Sequence, residues 1–388
     1  MSNGNRVARR PHGAKYPFIM SHLPLLYVRR LRLSRLSLVL LGLCCIQSQL
    51  PAEEPLISLK LSGRLVEGTP LKFNEQQVFF LARDGQLVEF APAAAEDFSV
   101  VAGGFKSYSQ AQLRGQLQRE FGPGYEVSGV GHYLVVHPAG QGAQWAPRFE
   151  ELYRSFVHYF SARGWQVAAP RFPLVAVVYP RQADFMQQAR REGVAASSGL
   201  LGYYSPTTNR ILLYDATAGR ANRDWSINAE TIIHEAAHQV AFNTGIHTRF
   251  ASEPRWVVEG IGMLFESRGV WQSRQFPHQP DRINRLQLTE YRHYAASRRA
   301  AGAIAELISS DRAFTVNTNG AYAEAWALSF FLIESEPKKY FQYLAKTAAA
   351  KPFGDYRGPE RLKDFTDVFG ADLRMLDARM QRFLSTLK

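Results

Sequence analysis

Short alternating runs of apolar and polar residues dominate the chain between 56 and 140. The runs 78–83 and 86–90 flank Asp84-Gly85, and this dipeptide between two β-patterned runs predicts a hairpin. Further strands are predicted at 125–127 and 132–136, and apolar residues at helical spacing predict a helix at 109–121. We therefore predict a small β-rich N-terminal domain over 56–140.

From 146 onward the apolar residues recur mainly at helical spacing. The pattern predicts an amphipathic helix at 149–161, a buried strand at 174–179 and a hairpin at 202–214. More helices are predicted downstream, at 232–241, 256–265, 321–333, 340–344 and 373–387. The prediction is an α+β protein with a mixed-sheet unit over 146–270 and a helical C-terminal subdomain over 271–388.

The first residues have the pattern of an export leader. A basic stretch at 29–35 precedes an apolar run at 36–46, which is too short to span a bilayer but suits the core of a signal peptide. We expect a leader over 1–48, a linker over 49–55, and a protein exported to the periplasm, the cell envelope or the exterior. Both cysteines, Cys44 and Cys45, end this run, and membrane attachment through a lipid on either one stays open.

The net charge of +12 does not indicate a nucleic-acid partner. Eight basic residues and no acidic residue fall within 1–50, so the rest of the chain has a net charge of +4. A charge this small, without a clustered basic patch, argues against phosphate binding as the main role.

The helix predicted at 232–241 contains His234-Glu235-Ala236-Ala237-His238. One helical turn separates the two histidines, so both imidazoles project from one face and can share a metal ion. Glu235 lies between them, placed to act on a water at the metal rather than on the metal itself. H-E-x-x-H on a helix is the signature of zinc peptidases.

A third ligand is expected from the next helix, in Trp256-Val257-Val258-Glu259-Gly260. Glu259 stands among apolar neighbours, where a carboxylate is costly to bury unless it is paired or binds a metal. His247 and Glu253 are weaker candidates, since His247 lies nine residues after His238 and Glu253 precedes a proline. Glu266, a heptad after Glu259, could orient a ligand histidine through its second ring nitrogen. Two histidines and one glutamate, with a fourth position for water, form a typical catalytic zinc site.

These motifs resemble the bacterial family known as domain of unknown function 1570, within the gluzincin metallopeptidases. The resemblance covers roughly 146–345 and is carried by the two zinc motifs and, more weakly, by Gly202-Tyr203-Tyr204-Ser205-Pro206 and Tyr322-Ala323-Glu324-Ala325-Trp326. It implies a zincin-like catalytic domain and a presumed metallopeptidase that requires Zn²⁺.

The resemblance also implies roles for three tyrosines. In zincin folds an extended peptide pairs with the sheet edge nearest the metal, so Tyr203 or Tyr204 is expected to line the substrate cleft. Gluzincins often place a tyrosine or histidine from a downstream helix over the metal, which makes Tyr322 a candidate donor to the developing oxyanion. Glu324, close by, is interpreted as a charge on the helix surface, with a role in holding Tyr322 or a ligand left open.

The sequence therefore predicts a zinc hydrolase that cleaves a peptide or protein substrate, with His234, His238 and Glu259 as ligands and Glu235 as general base. Two other functions stay open. One is a zincin-fold envelope protein that binds without catalysis, although such binders tend to lose the glutamate that is present here as Glu235. The other is a zinc amidase that acts on cell-wall material by the same metal chemistry.

Overall fold

The computed structural model describes residues 54–141, 144–195, 199–217 and 226–388. The predicted leader with Cys44 and Cys45, and the linker up to residue 53, lie outside the described residues. None of the described helices is both long and apolar enough to cross a membrane.

The first sheet is antiparallel and contains five strands in the order β4-β3-β2-β1-β5. The strands are β1 Leu56–Leu61, β2 Arg64–Phe73, β3 Val78–Ala82, β4 Leu87–Phe90 and β5 Ala95–Val101. The predicted Asp84-Gly85 turn joins β3 to β4, and Gly85 has the positive φ of 90° that favours glycine in such turns. A small core of Ile57, Leu59, Val78 and Phe80 stabilises this sheet.

The second sheet is mixed, with strand order β6-β7-β8-β10-β9. Its strands are β6 Tyr125–Val130, β7 Tyr133–Pro138, β8 Leu174–Tyr179, β9 Gly202–Ser205 and β10 Arg210–Tyr214. The central strand β8 is parallel to both β7 and β10. Every residue of β8 is buried, as expected for a parallel strand covered on both faces. The short strand β9 runs antiparallel to β10 and forms one edge.

The strands β6 and β7 differ from the sequence-based assignment. The sequence pattern predicts that both strands belong to the N-terminal domain that ends at 140, but β7 pairs in parallel with β8, with Val135 opposite Ala176. The strand β7 is buried on both faces, so it needs a layer on each side, which the first sheet does not provide. The sequence shows the apolar run of β7 but not the strand with which it pairs. Because that strand is β8, a domain boundary at 140 would divide the second sheet.

Helices cover both faces of the second sheet. On one face lie α1 Gln110–Phe121 and α3 Gln182–Arg191; on the other lie α2 Trp145–Ser161 and α4 Ser226–Asn243. The chain continues with α5 Arg255–Phe265 and α6 Arg268–Trp271. The helical C-terminal part contains α7 Arg285–Ser297, α8 Ala303–Ser309, α9 Ala313–Val316, α10 Thr318–Ser335, α11 Pro337–Ala348, α12 Gly358–Phe369 and α13 Leu373–Thr386. Short 3₁₀ turns lie at Pro92–Ala94 and Gln279–Arg282. The predicted α+β class, with a β-rich start, a mixed sheet and a helical end, is confirmed.

The close packing of α10 against α5 brings distant parts of the sequence to one site. The residues of α10 from Gly320 to Ile333 are all buried. A Cβ on Gly260 of α5 would lie 2.0 Å from Oγ of Ser329 in α10, so glycine is what permits this approach. Glu259 of α5 and Tyr322 of α10 consequently come into contact.

Candidate metal centre

Both histidines of the zinc motif lie on the buried face of α4. His234 is 0% exposed and His238 is 2% exposed. Their ring centroids are 4.5 Å apart and their Nε2 atoms are 2.9 Å apart. The four-residue spacing on a regular helix places both Nε2 atoms beside the same point, as the sequence predicted.

Glu259 of α5 completes the group from the opposite side. Its Oε2 lies 3.6 Å from Nε2 of His234 and 3.8 Å from Nε2 of His238. Bonds of about 2.0–2.1 Å around a tetrahedral zinc ion separate neighbouring ligand atoms by about 3.3 Å, which lies within the observed range of 2.9–3.8 Å. Among the described residues, these three side chains are the group whose ligand atoms lie close enough together to hold one metal ion.

The chemistry of this group fits a divalent cation. Oε2 of Glu259 is buried and has no hydrogen-bond partner, which is costly for a carboxylate unless a cation is bound. Burial lowers the pKa of His234, but the carboxylates of Glu259 and Glu266 outweigh this effect and raise the pKa to about 10. The site thus attracts positive charge, and its two imidazoles and one carboxylate form a donor set suited to catalytic zinc.

Glu266 lies where the sequence suggested, behind the first histidine. Its Oε1 is 2.9 Å from Nδ1 of His234, which leaves Nε2 directed at the metal position. Its Oε2 accepts a 2.7 Å hydrogen bond from the side-chain amide of Asn284. A carboxylate held in this way fixes the tautomer and orientation of a ligand histidine.

Glu235 lies beside the ligand group but is not part of it. Its Oε2 accepts a 2.7 Å hydrogen bond from the backbone N–H of Tyr204 on the edge strand β9. Burial raises the pKa of Glu235 to about 7, while the nearby His234 opposes the increase. A buried carboxyl group with a pKa near neutrality is suited to accept and release a proton.

Tyr322 contacts the outer oxygen of the third ligand. Its hydroxyl donates to Oε1 of Glu259 at 3.2 Å and accepts a 2.9 Å hydrogen bond from Arg255. Arg255 also lies 3.4 Å from Oε1 of Glu259. Burial and the Glu259 carboxylate hold the pKa of Tyr322 well above its usual range, so the hydroxyl stays protonated. Because both groups contact Oε1, Oε2 is the oxygen that faces the histidines.

The two tyrosines of β9 face opposite sides of the second sheet. Tyr203 packs away from the metal group, with its ring 5.8 Å from that of Phe185 in α3. The expectation that its side chain lines the substrate cleft is therefore wrong, because successive side chains of a strand alternate between faces. Tyr204 lies on the face that packs against α4, stacks on Phe242 and donates its hydroxyl hydrogen to Asn209.

Three residues that the sequence analysis did not single out help to form the site. As described above, Arg255 contacts Glu259, and Asn284 donates a hydrogen bond to Glu266. A Cβ on Gly262 would lie 2.9 Å from Cε1 of both His234 and His238, so this glycine makes room for the imidazoles. A glycine three residues after Glu259, within an otherwise apolar helix, is a signal that the sequence offered.

The two weaker ligand candidates pair with each other instead. Nδ1 of His247 lies 2.8 Å from Oε2 of Glu253, and both residues are buried. Glu324 also differs from its interpretation as a helix-surface charge, because it is 2% exposed and bonds to Arg299 at 2.7 Å.

Comparison with known proteins gives a family match for the part that holds this site. Residues 228–354 match the model of a family described as a protein of unknown function (DUF1570). No curated protein matches the chain.

Among solved structures, the chain is similar to the M1 zinc metallopeptidase from Deinococcus radiodurans. The identity is 13% and the TM-score 0.39, over 65% of this chain and 48% of that one. A mutant of the same enzyme bound to a Tyr-Ser-Ala substrate gives 13% identity and a TM-score of 0.37, over 66% and 48%. This chain thus spans about half the length of those enzymes. The family match confirms the resemblance that the motifs indicated: residues 228–354 are similar to the DUF1570 family.

Proposed function

We propose that this protein is a zinc-dependent metallopeptidase of the gluzincin type, which hydrolyses peptide bonds. The observation that carries the proposal is the buried group of His234, His238 and Glu259, with the Glu235 carboxylate beside it. Bound zinc would supply a Lewis acid and lower the pKa of its water towards about 7.

In this proposal the residues of the chain divide the remaining work. Glu235 removes a proton from the attacking water and delivers it to the leaving nitrogen. The backbone N–H of Tyr204 supports this role because it holds one oxygen of Glu235 at 2.7 Å. Glu266 and Asn284 keep His234 oriented.

Two further roles belong to the same proposal. The edge strand β9 runs beside Glu235, so an extended peptide would pass along this edge, with Tyr204 near the scissile bond. The Tyr322 hydroxyl, which contacts Oε1 of Glu259, would donate to the developing oxyanion after it releases Glu259. We also propose that the protein acts outside the cytoplasm, on the basis of the basic and apolar pattern at 29–46.

The test combines metal content with hydrolysis on the same preparations of purified protein. We expect close to one zinc per chain in the wild type and loss of the metal in His238→Ala. The matched control is His278→Ala, which removes an exposed histidine and should keep the metal. Hydrolysis of a mixed peptide library that is abolished by a chelator and restored by zinc supports the proposal.

Other outcomes contradict it. Zinc binding without hydrolysis of any library peptide would point to a binding protein. Release of fragments from isolated cell-wall material, with the peptide library untouched, would point to a zinc amidase. A wild-type protein that binds no zinc would remove the basis of the proposal.

A further inference from the structure

Arg255 contacts two groups of the metal centre, the Tyr322 hydroxyl and the outer oxygen of the third ligand. Its Nη2 donates a 2.9 Å hydrogen bond to the hydroxyl oxygen of Tyr322. Its Nε lies 3.4 Å from Oε1 of Glu259, and this buried nitrogen makes no hydrogen bond within the described part of the chain. The tyrosine hydroxyl itself donates to the same Oε1 at 3.2 Å. Oε1 therefore accepts from one donor and has a second donor close by.

The stability of α5 does not by itself account for an arginine at this position. Arg255 is the first residue of α5, where the helix dipole disfavours a positively charged side chain. An arginine that precedes a glutamate by four residues is also the less favourable order for such a pair. The side chain of Arg255 is 21% exposed and that of Glu259 is fully buried, so the guanidinium extends from the surface to the ligand carboxylate. The contacts inside the metal centre give a better reason for this residue.

Residues of the helical C-terminal part hold the arginine in place. Oδ1 of Asp311 accepts a 2.9 Å hydrogen bond from the backbone N–H of Arg255, and Asp311 is itself paired with Arg361 at 2.9 Å. The guanidinium carbon lies 4.8 Å from the centroid of the Phe314 ring, within the range of a cation–π contact. The Phe314 ring is in turn 5.3 Å from the ring of Tyr322. Both the backbone and the charged end of Arg255 are thus fixed beside the metal centre.

The proposed reaction requires the Tyr322 hydroxyl to turn its hydrogen from Glu259 to the developing oxyanion. Oε1 of Glu259 would then lose its donor in a buried site, which is costly for a charged group. Nε of Arg255, now 3.4 Å away, needs to move by only about 0.5 Å to reach a typical hydrogen-bond distance. The bond from Nη2 to the phenolic oxygen can persist, and such a bond strengthens the hydroxyl as a donor.

We propose that Arg255 is a positioning residue for this reaction. It holds the Tyr322 hydroxyl, and it takes over Oε1 of Glu259 when the tyrosine donates to the oxyanion. The third ligand keeps a hydrogen-bond donor in both arrangements. This inference rests on the proposed function and adds to it a residue that lies outside the two zinc motifs.

A double-variant cycle tests whether one donor replaces the other. Zinc affinity is measured by competition with a chelator for the wild type, Tyr322→Phe, Arg255→Met and the double variant. Each single variant leaves Oε1 of Glu259 with one donor, whereas the double variant leaves it with none. We expect the double variant to bind zinc at least about fivefold more weakly than the product of the two single effects. Losses that simply multiply would overturn the proposal.

The same four proteins show whether Arg255 acts through Tyr322. At saturating zinc, Arg255→Met should lower kcat by about tenfold, as for the loss of a hydrogen bond from a charged donor. In the Tyr322→Phe background it should change kcat by less than about twofold, because the hydroxyl that it positions is absent. The two cycles thus deviate from additivity in opposite directions, which a general loss of structure would not produce. An equal fall of kcat in both backgrounds would contradict the proposal.

The matched control is Arg83→Met, directly after β3 of the first sheet. The side chain of Arg83 is 18% exposed, pairs with Glu67 at 2.7 Å and lies over the ring of Tyr108. It therefore resembles Arg255 in burial and in its contacts with a glutamate and an aromatic ring. Its removal should change neither zinc affinity nor kcat, and circular dichroism verifies the folding of every variant.

A crystal structure of zinc-loaded Tyr322→Phe protein is an independent readout, which decides if Arg255→Met does not fold. We expect Nε of Arg255 within about 3.0 Å of Oε1 of Glu259; a guanidinium that stays at its present distance or turns away would overturn the proposal. Failure of the proposed function is a separate result. It would appear as an absence of zinc-dependent hydrolysis in the wild type, whereas the zinc cycle and this structure do not depend on turnover.

Discussion

The backbone N–H of Tyr204 donates a 2.7 Å hydrogen bond to Oε2 of Glu235. This bond joins the edge strand β9 to the metal-binding helix α4. The two elements approach closely because residue 202 is a glycine; a Cβ there would lie 2.7 Å from Cγ2 of Thr231 in α4. Glu235 is therefore held at the edge of the sheet, beside the histidines but turned away from the position of a ligand.

Replacement of Glu235 by Gln should separate catalysis from metal binding. The amide cannot accept the proton of water, so we expect kcat to fall by a factor of about 10² to 10⁴. Zinc should remain bound because Glu235 is not one of the three ligands. Elemental analysis and a hydrolysis assay on the same samples test this, and full activity in the variant would exclude Glu235 as the general base.

Gly262→Ala should weaken the metal site without a direct change to any ligand. The new methyl group would lie 2.9 Å from Cε1 of both histidines and push the imidazoles apart. We expect at least about tenfold weaker zinc binding, measured by competition with a chelator of known affinity. The control is Gly115→Ala in α1, whose Cβ meets its nearest neighbour at 3.5 Å and should leave zinc affinity unchanged.

Glu266→Gln should lower zinc affinity through His234. The carboxylate that now bonds to Nδ1 of this histidine at 2.9 Å would be replaced by a neutral amide, which orients the ring less strongly. The loss expected for such an outer partner is about 10- to 100-fold. Glu75→Gln, at an exposed position, is the control. An affinity equal to that of the wild type would show that Glu266 does not support the ligand.

Tyr322→Phe distinguishes two roles of the tyrosine. If the hydroxyl mainly holds Oε1 of Glu259, zinc affinity should fall by about five- to tenfold, as for the loss of one hydrogen bond. If it mainly donates to the oxyanion, kcat should fall by about 10² or more at saturating zinc. We expect both effects, and their separate measurement shows which is larger. A variant that matches the wild type in both would remove Tyr322 from the site.

Arg299→Met should destabilise the helical C-terminal part and leave the metal site intact. The side chain of Arg299 is 6% exposed and pairs with Glu324 and Asp377 at 2.7 Å each. Its removal leaves a carboxylate buried without its partner, which costs about 3–5 kcal/mol in the free energy of unfolding. Chemical denaturation tests this against Lys363→Met, which removes an exposed pairing with Asp367 and should change stability little.

The chemistry of the site could be predicted from the sequence because it lies in two local motifs. His234, Glu235 and His238 share one helix, and the helical repeat alone fixes their relative directions. The sequence predicts Glu259 as a ligand because a carboxylate among apolar residues is costly to bury unless it is paired or binds a metal.

Other features depend on contacts between residues far apart in the sequence, and only the tertiary structure decided them. The pairing of β7 with β8, the face on which Tyr203 lies, and the approach of Arg255 and Asn284 to the glutamates all follow from how elements pack. So does the burial of Glu324 against Arg299. Residue type and spacing determine which side chains lie on one face of a helix or strand. The packing of the whole chain determines which other element contacts that face.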